Sequence, residues 1–283
     1  MDKIKKAVIL SAGLGKRFLP YTKTIPKPML PIIDRPTLNY VINEAMLSGI
    51  EQILIVVGFN KEYIIDFYKS TYLHSIPPEY NKIMSEIKDY PIEFIEQPVL
   101  DGTGGAIKIT ENWVNNEPFA ILNADEVMIS KKPVLKQLID AFYKVNKSII
   151  GVQTVKKELA TQLGIITYKS KNGNFYEIDG IKEKPNINEI KEPLANLGRY
   201  IATPKIFDYV KDLKFNKFNE LPLTDAFIEL AQSEGVFAYK FKGKRFDIGS
   251  KIGYLHACIE LGLLDERFNN TLKKIIKDYA KKL

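Results

Sequence analysis

The sequence predicts an α/β protein with a doubly wound, mostly parallel sheet (a Rossmann-like nucleotide-binding arrangement) with an added β-rich lobe and C-terminal helices. Short apolar runs alternate with longer stretches that mix apolar and charged residues through the first half of the chain. Near-continuous apolar strands separated by helices are typical of a parallel sheet covered on both faces. From about Gly164 the order changes to two strands around the turn KNGN, which predicts a hairpin.

The elements of the first half follow each other regularly. The predicted strands are KAVILSA, QILIVVG, IEFIEQ, FAILNADEV and SIIGVQTV, and the predicted helices are TLNYVINEAMLSG, KEYIIDFYKS and VLKQLIDAFYKV. Ligands of such sheets bind beyond the carboxyl ends of the strands. The residues that come directly after AVILSA, IEFIEQ and FAILNA are therefore expected to converge on one crevice.

The second half begins with the hairpin strands GIITY and FYEIDGIKEKP. The strand NLGRYIATP, the helices KIFDYVKDL and LTDAFIELAQSEG, the strands VFAYKFKG and KRFDIG, and two closing helices follow. We expect a single domain over residues 1–283, in which residues 1–160, 161–250 and 251–283 form three successive parts.

Composition indicates a cytoplasmic protein that contacts neither membranes nor nucleic acids. No apolar run approaches the roughly 20 residues of a membrane span, and MDKIKK leads directly into a strand rather than into a signal peptide. The net charge is +7, but much of the excess lies in LKKIIKDYAKKL, where lysines alternate with apolar residues at helical spacing. This pattern favours a solvated helix face over a polyanion-binding tail.

Cysteine and histidine residues give little indication of chemistry. The single cysteine, Cys258, excludes an internal disulfide and a cysteine-cluster metal site, and its apolar neighbours favour a buried structural residue. The two histidines, His74 and His256, have no metal-ligand partner near them in sequence and are expected to be structural.

A glycine loop directly after the first strand is the strongest candidate for a binding site. Gly13 and Gly15 allow a sharp turn that exposes backbone N–H groups, as in loops that cradle phosphates, although an ordinary tight turn has the same pattern. Arg17 and Lys27 add two fixed cations, which suits a polyphosphate. A nicotinamide dehydrogenase is disfavoured, because Phe18 replaces the third glycine of the dinucleotide motif and no acidic residue ends the second strand.

The stretch AGLGKRFLPYTKTIPKPMLPIIDRP resembles the signature of sugar nucleotidyltransferases, in which G-x-G-x-R wraps a triphosphate and a P-K-x-M-L-P lysine follows. The resemblance covers almost the whole chain, including NLGRYIATPKIFD, NELPLTDAF and RFDIGSKIGYLHACIELGL. The bacterial-type uridylyltransferases look closest. The resemblance implies UTP and glucose 1-phosphate as substrates, UDP-glucose and pyrophosphate as products, Mg²⁺ as cofactor, and a homodimer or homotetramer.

The resemblance also implies roles for particular residues. The nucleotide-binding residues would be Ala12, Gly13, Leu14, Gly15, Lys16 and Arg17 in the glycine loop, with Gln97 and Gly102 at the nucleobase. The catalytic residues would be Arg17, Lys27, Asp125 and Lys184, and Asp125 and Asp247 would bind the metal. The sugar-phosphate site would comprise Gly164, Glu183, Lys184, Asn196 and Gly198. Residues 1–160 would then bind the nucleotide and residues 161–250 the sugar phosphate.

Several positions depart from the uridylyltransferase pattern. Lys16 stands where threonine is usual, PKPMLP replaces P-K-E-M-L-P, GTGGA replaces G-L-G-H-A, and Asp125–Glu126 replaces a paired aspartate. GTGGA and PKPMLP look more like relatives that make GDP-mannose or other sugar nucleotides. The base (dTTP or GTP) and the sugar (galactose, mannose or N-acetylglucosamine 1-phosphate) therefore stay open. A non-catalytic sugar-nucleotide sensor would be expected to lack at least one of four charged residues. The chain has all four of them, namely Arg17, Lys27, Asp125 and Asp247.

Overall fold

The computed structural model describes residues 3–70 and 75–282. The α-helices of this part are α1 (Thr37–Leu47), α2 (Lys61–Lys69), α3 (Asn81–Lys88), α4 (Thr103–Lys108), α5 (Glu111–Val114), α6 (Val134–Val145), α7 (Lys157–Ala160), α8 (Ile206–Val210), α9 (Leu223–Ser233), α10 (Lys251–Leu264) and α11 (Asn269–Ala280). The strands are β1 (Lys6–Leu10), β2 (Pro31–Ile32), β3 (Arg35–Pro36), β4 (Gln52–Val57), β5 (Ile92–Glu96), β6 (Phe119–Asn123), β7 (Glu126–Ile129), β8 (Ile149–Thr154), β9 (Gly164–Asn172), β10 (Phe175–Glu183), β11 (Leu194–Ala202), β12 (Phe237–Lys240) and β13 (Lys244–Asp247).

Nine of these strands form one sheet in the order β5-β4-β1-β6-β11-β8-β12-β10-β9. β1 pairs in parallel with β4 and β6, and β4 pairs in parallel with β5, as the alternation of strands and helices predicts. β11 runs antiparallel between β6 and β8. The predicted doubly wound α/β fold class is confirmed, and the strands of the β-rich part continue the same sheet.

The β9–β10 hairpin closes the second half of the sheet on itself. β10 pairs with β12 and β9, and β9 pairs back to β11 between Ile165 and Ala195. Five strands are thus joined in a closed ring of pairings. The predicted turn lies at the end of β9, where Gly173 has a φ of +59°, a conformation that favours glycine.

The sheet is covered on both faces. Successive side chains of a strand point to opposite sides, so Ala7 and Ile9 of β1 pack in the core cluster that contains residues of α1, whereas Val8 packs in the cluster that contains residues of α9. All three residues are fully buried. Burial on both faces explains the continuous apolar run, and it leaves the carboxyl end of the strand as the place where polar residues can follow.

A short ribbon of β7 and β13 lies beside the main sheet. The two strands pair antiparallel, with Glu126 opposite Asp247 and Ile129 opposite Lys244. A separate apolar cluster, which includes Phe246 of β13 and residues of α10, packs under the ribbon. Paired strands lie close together in space. The ribbon therefore brings the turn after β6 next to a segment that lies about 120 residues further along the chain.

The two C-terminal helices lie on the outside of the molecule. The Ser250 hydroxyl caps α10 by accepting a hydrogen bond from the backbone N–H of Gly253. His256 faces Glu260 and the ring of Phe246, and Cys258 is half-buried. These surroundings favour a structural role for both residues. His74 lies outside the described residues. None of the described helices combines the length and the apolar character needed to cross a membrane.

Candidate active site

The glycine loop after β1 packs tightly against the segment that carries Lys27. Gly15 has a φ of +63°, and a Cβ atom there would lie 2.9 Å from the Lys27 Cβ and 3.0 Å from the Thr22 Cγ2. The Thr22 hydroxyl donates a hydrogen bond of 2.8 Å to the Gly15 carbonyl. Glycine is therefore required at position 15 by both the backbone angle and the close approach. The loop residues Leu14, Lys16 and Arg17 are exposed.

Lys27 forms an ion pair with Asp125. The Lys27 Nζ donates to the Asp125 Oδ2 at 2.5 Å, and the side chain of Lys27 is only 12% exposed. Burial raises the pKa of Asp125, but the nearby Lys27 ammonium, helped by Arg17, lowers it by more, so the net shift is downward. The Asp125 carboxylate is thus held ionised and oriented at the carboxyl end of β6.

The β7–β13 ribbon brings Asp247 to the same place. The backbone N–H of Ile248 donates to the Asp125 carbonyl at 2.9 Å. A Cβ atom on Gly249 would lie 2.7 Å from the Arg17 Nη2, 2.8 Å from the Asp247 Oδ1 and 3.2 Å from the Asp125 Oδ2. These three charged groups therefore surround one small space, which a side chain larger than glycine would fill.

A buried arginine that was not predicted from the sequence supports the turn between β6 and β7, which carries Asp125. Arg199 is fully buried and donates to both carboxylate oxygens of Glu44, which is itself 6% exposed. It also donates to the backbone carbonyls of Asn123 and Glu126, the residues on either side of the Ala124–Asp125 pair. Its signal in the sequence was a single charged residue within the apolar strand NLGRYIA, since a buried charge needs a partner.

Glu126 is engaged by the second strand of the ribbon. Arg245 binds both of its carboxylate oxygens, at 2.6 and 2.5 Å. Burial raises the pKa of Glu126, and the negative charges of Asp125 and Asp247 add to the rise, whereas Arg245 opposes it. Because Arg245 occupies both oxygens, Glu126 is tied into the ribbon rather than directed at a ligand.

Gln97 lies directly after β5 and is 5% exposed. Its Nε2 donates to the Asp101 Oδ1 at 2.8 Å and to the Gly102 carbonyl at 3.0 Å. Gly102 has a φ of +99°, and a Cβ atom there would lie 3.0 Å from the carbonyl oxygen of Leu221. The two residues predicted at the nucleobase are therefore in direct contact, in a turn that only glycine fits.

Gly58 joins this turn to the glycine loop. A Cβ atom on Gly58 would lie 2.7 Å from the Ala12 carbonyl oxygen and 3.0 Å from the Leu100 Cδ2. The chain therefore uses glycine after β4 because two loops approach each other there. The segments that follow β1, β4 and β5 thus meet at one edge of the sheet, as the topology predicts.

The predicted sugar-phosphate residues lie on the hairpin and on β11. Gly164 is paired with Glu183, and a Cβ atom on Gly164 would lie 2.8 Å from the Glu183 Oε1. Lys184 has a φ of +47°, and its Nζ lies 5.3 Å from the centre of the Phe218 ring. Phe218 comes from the segment before α9, and nothing in the sequence alone had indicated this contact.

The last two predicted residues lie at an irregularity of β11. Asn196 donates to the Tyr200 hydroxyl at 2.9 Å, and the register of β11 against β8 shifts between these two residues. Gly198 has a φ of +67°, and a Cβ atom there would lie 2.6 Å from the Asn123 Nδ2. Asn123, which is opposite Leu10 of β1, thus links the β11 residues to the Asp125 turn.

Comparison with known proteins identifies the family of the chain. The nucleotidyl transferase family model matches residues 6–261. The chain belongs to this family. Among curated members, a UTP–glucose-1-phosphate uridylyltransferase of Staphylococcus epidermidis is 39% identical over 98% of this chain and 99% of its own length. A second, from Staphylococcus saprophyticus, is 41% identical over 98% of each chain.

Solved structures of nucleotidyl transferases share the fold. A UDP-glucose pyrophosphorylase complexed with UDP-glucose aligns with a TM-score of 0.84 and 39% identity over 90% of this chain and 97% of that one. A UDP-glucose pyrophosphorylase from Acinetobacter baumannii aligns with a TM-score of 0.87 and 32% identity over 98% of this chain and 99% of that one. The predicted family is confirmed, and the dehydrogenase alternative is excluded. The individual roles of the site residues remain predictions.

Proposed function

We propose that the chain joins UTP and glucose 1-phosphate to form UDP-glucose and pyrophosphate. Nucleotidyl transfer is the reaction of the family, and curated relatives of 39% and 41% identity are named for these two substrates. The observation that carries the proposal is the convergence of Arg17, Lys27, Asp125 and Asp247 on one space at the carboxyl edge of the sheet. Two cations and two carboxylates at one point suit a polyphosphate and its metal ion.

The proposed reaction is a single in-line displacement. A phosphate oxygen of glucose 1-phosphate bonds to the α-phosphorus of UTP, the bond from that phosphorus to the bridging oxygen breaks, and pyrophosphate leaves with the electron pair. Such transfers depend on positioning and on charge neutralisation more than on acid or base groups. Arg17 and Lys27 would neutralise triphosphate oxygens, and Lys184 would reduce the repulsion between the two anionic substrates.

Asp125 and Asp247 fit a magnesium site. Mg²⁺ takes oxygen ligands and is usually held by one or two carboxylates together with substrate phosphates and water. The Asp125 Oδ2 and the Asp247 Oδ1 border the same space, which the missing side chain of Gly249 leaves open. When bound there, the ion would supply positive charge next to the phosphates. Lys27 keeps the Asp125 carboxylate ionised for this role.

The proposal is tested by measuring pyrophosphate release for UTP, dTTP, GTP, CTP and ATP, each with the 1-phosphates of glucose, galactose, mannose and N-acetylglucosamine. We expect UTP with glucose 1-phosphate to give the highest kcat/KM and EDTA to abolish the reaction. A higher value for dTTP or GTP, or for another sugar, would replace the substrate assignment. If every pair is inactive but UDP-glucose still binds, the chain is a sensor.

Lys184→Ala is expected to raise the KM for glucose 1-phosphate by about tenfold or more, the value of one charge-assisted contact, and to change the KM for UTP much less. Initial rates with each substrate varied in turn give both constants. Lys171→Ala is the matched control, because Lys171 lies at the other end of the same hairpin, over the ring of Tyr176. Equal effects on both substrates would place Lys184 outside the sugar-phosphate site.

We also propose that residues 1–160 bind the nucleotide and residues 161–250 the sugar phosphate. The enzyme would work in the cytoplasm as a homodimer or homotetramer. The outer face of α10 supports an interface between copies, because Ile252, Leu255 and Ile259 are 77%, 55% and 45% exposed. They recur at a spacing of three and four residues, so they form one apolar stripe.

A further inference from the structure

The hydrogen bonds of Gln97 leave its amide one possible orientation. The Nε2 lies 2.8 Å from the Asp101 Oδ1 and 3.0 Å from the Gly102 carbonyl oxygen. A carboxylate and a carbonyl only accept hydrogen bonds, and an amide nitrogen carries two hydrogens. Both hydrogens are therefore used inside the turn. If the amide were reversed, its oxygen would face two acceptors, so the oxygen is the atom left to meet a ligand.

The surroundings of Gln97 reinforce this orientation. The residue is 5% exposed, and its backbone N–H donates to the Val57 carbonyl at 2.8 Å. Within residues 3–70 and 75–282 no hydrogen bond to the Gln97 Oε1 is present. The oxygen thus remains available as an acceptor, at the position where the proposed function places the nucleobase.

Asp101 is itself held in place from two sides. A Cβ atom on Gly105 would lie 1.8 Å from the Asp101 Oδ1, so the carboxylate occupies the space that any larger residue at position 105 would need. On the other side, the backbone N–H of Leu221 donates to the Asp101 carbonyl at 2.5 Å, and the Leu221 carbonyl accepts from the N–H of Gly104 at 2.8 Å. The Asp101 carboxylate can therefore keep its position only because residue 105 is glycine.

We propose that Asp101 is a positioning residue that sets the base selectivity of the enzyme by fixing Gln97 as a pure acceptor. This inference rests on the proposed function, in which Gln97 meets the base. Uracil and thymine present a donor, the N3–H of their imide, whereas cytosine presents an acceptor at N3. The fixed Gln97 oxygen therefore binds UTP or dTTP and repels CTP. With Asp101 removed, the amide can rotate and offer its N–H groups to cytosine.

The experiment compares kcat/KM for UTP and for CTP, each with glucose 1-phosphate, in wild type and in the variants Asp101→Ala, Asp101→Asn and Gly105→Ala. We expect Asp101→Ala to lower the UTP-to-CTP ratio by about tenfold or more, as expected when one buried hydrogen-bond mismatch is relieved. Gly105→Ala should lower it similarly, because its methyl group displaces the carboxylate. Asp101→Asn should retain the ratio, since its amide oxygen can still accept from Gln97.

Glu96→Ala is the matched control for loss of a nearby negative charge, because Glu96 is exposed, precedes Gln97 and pairs with Lys61. It should leave the ratio unchanged. Circular dichroism verifies folding, and calorimetric binding of UTP and CTP gives the same comparison without turnover. An unchanged ratio in folded Asp101→Ala overturns the inference, as does an equal loss in Asp101→Asn. A wild type that prefers ATP would instead overturn the proposed function.

Discussion

Asp125→Ala is expected to lower kcat/KM for UDP-glucose formation by about 10³-fold or more, since it removes an electrostatic group at the reacting phosphates. Asp125 stands in the space shared with Asp247 and Arg17, and it is the hydrogen-bond partner of Lys27. Removing its carboxylate takes away one proposed metal ligand and leaves Lys27 free to shift. Pyrophosphate release at saturating Mg²⁺ measures the loss.

The fold should survive the same substitution. The Asp125 side chain is 29% exposed, and the loss of one charged hydrogen bond costs at most about 3 kcal/mol of unfolding free energy. Asp140→Ala is the matched control, because Asp140 pairs with Lys132 and Lys136 on exposed surface and should leave activity unchanged. A folded Asp125→Ala protein with most of its activity would remove Asp125 from the catalytic site. Titration with Mg²⁺ provides an independent readout of the same loss.

The parallel half of the sheet could be predicted because its signal is local. β1, β4 and β6 are buried on both faces, so each reads as a continuous apolar run, and short helical stretches separate them. The position of β11 could not be predicted in this way. It enters between β6 and β8, and strand order depends on pairings between distant segments that no local pattern encodes. The same is true of the β7–β13 ribbon.

The same distinction, between local sequence patterns and contacts of distant segments, applies to the candidate site. The glycine loop and its cations could be proposed as a phosphate site from residue types alone, because exposed N–H groups and fixed positive charges suit phosphate oxygens. Asp247 was assigned by resemblance, and its proximity to Asp125 follows from the ribbon. The hydrogen bond from Gln97 to Asp101 could not be predicted, because it depends on which atom of the amide faces the turn. Side-chain orientation of that kind follows from three-dimensional packing.

Glu44→Ala is expected to destabilise the protein by about 3–5 kcal/mol, because it leaves the fully buried Arg199 without its charged partner. Glu44 lies on α1 and also accepts from the backbone N–H of Leu135 at the start of α6. The lost carboxylate therefore also removes a contact between two helices. Urea denaturation followed by circular dichroism measures the change, provided that unfolding is reversible.

The double variant Glu44→Leu with Arg199→Met separates the buried charge from the support that Arg199 gives to the site. Removing both charges should restore much of the stability that Glu44→Ala loses, since apolar residues of similar volume replace a desolvated ion pair well. Activity should nevertheless stay below that of the wild type, because the carbonyls of Asn123 and Glu126 lose the donor that fixes the turn around Asp125. Full activity in the stable double variant would show that this turn holds its shape without Arg199. A double variant as unstable as Glu44→Ala would mean that the backbone contacts of Arg199, rather than its charge pairing, dominate its contribution to the fold.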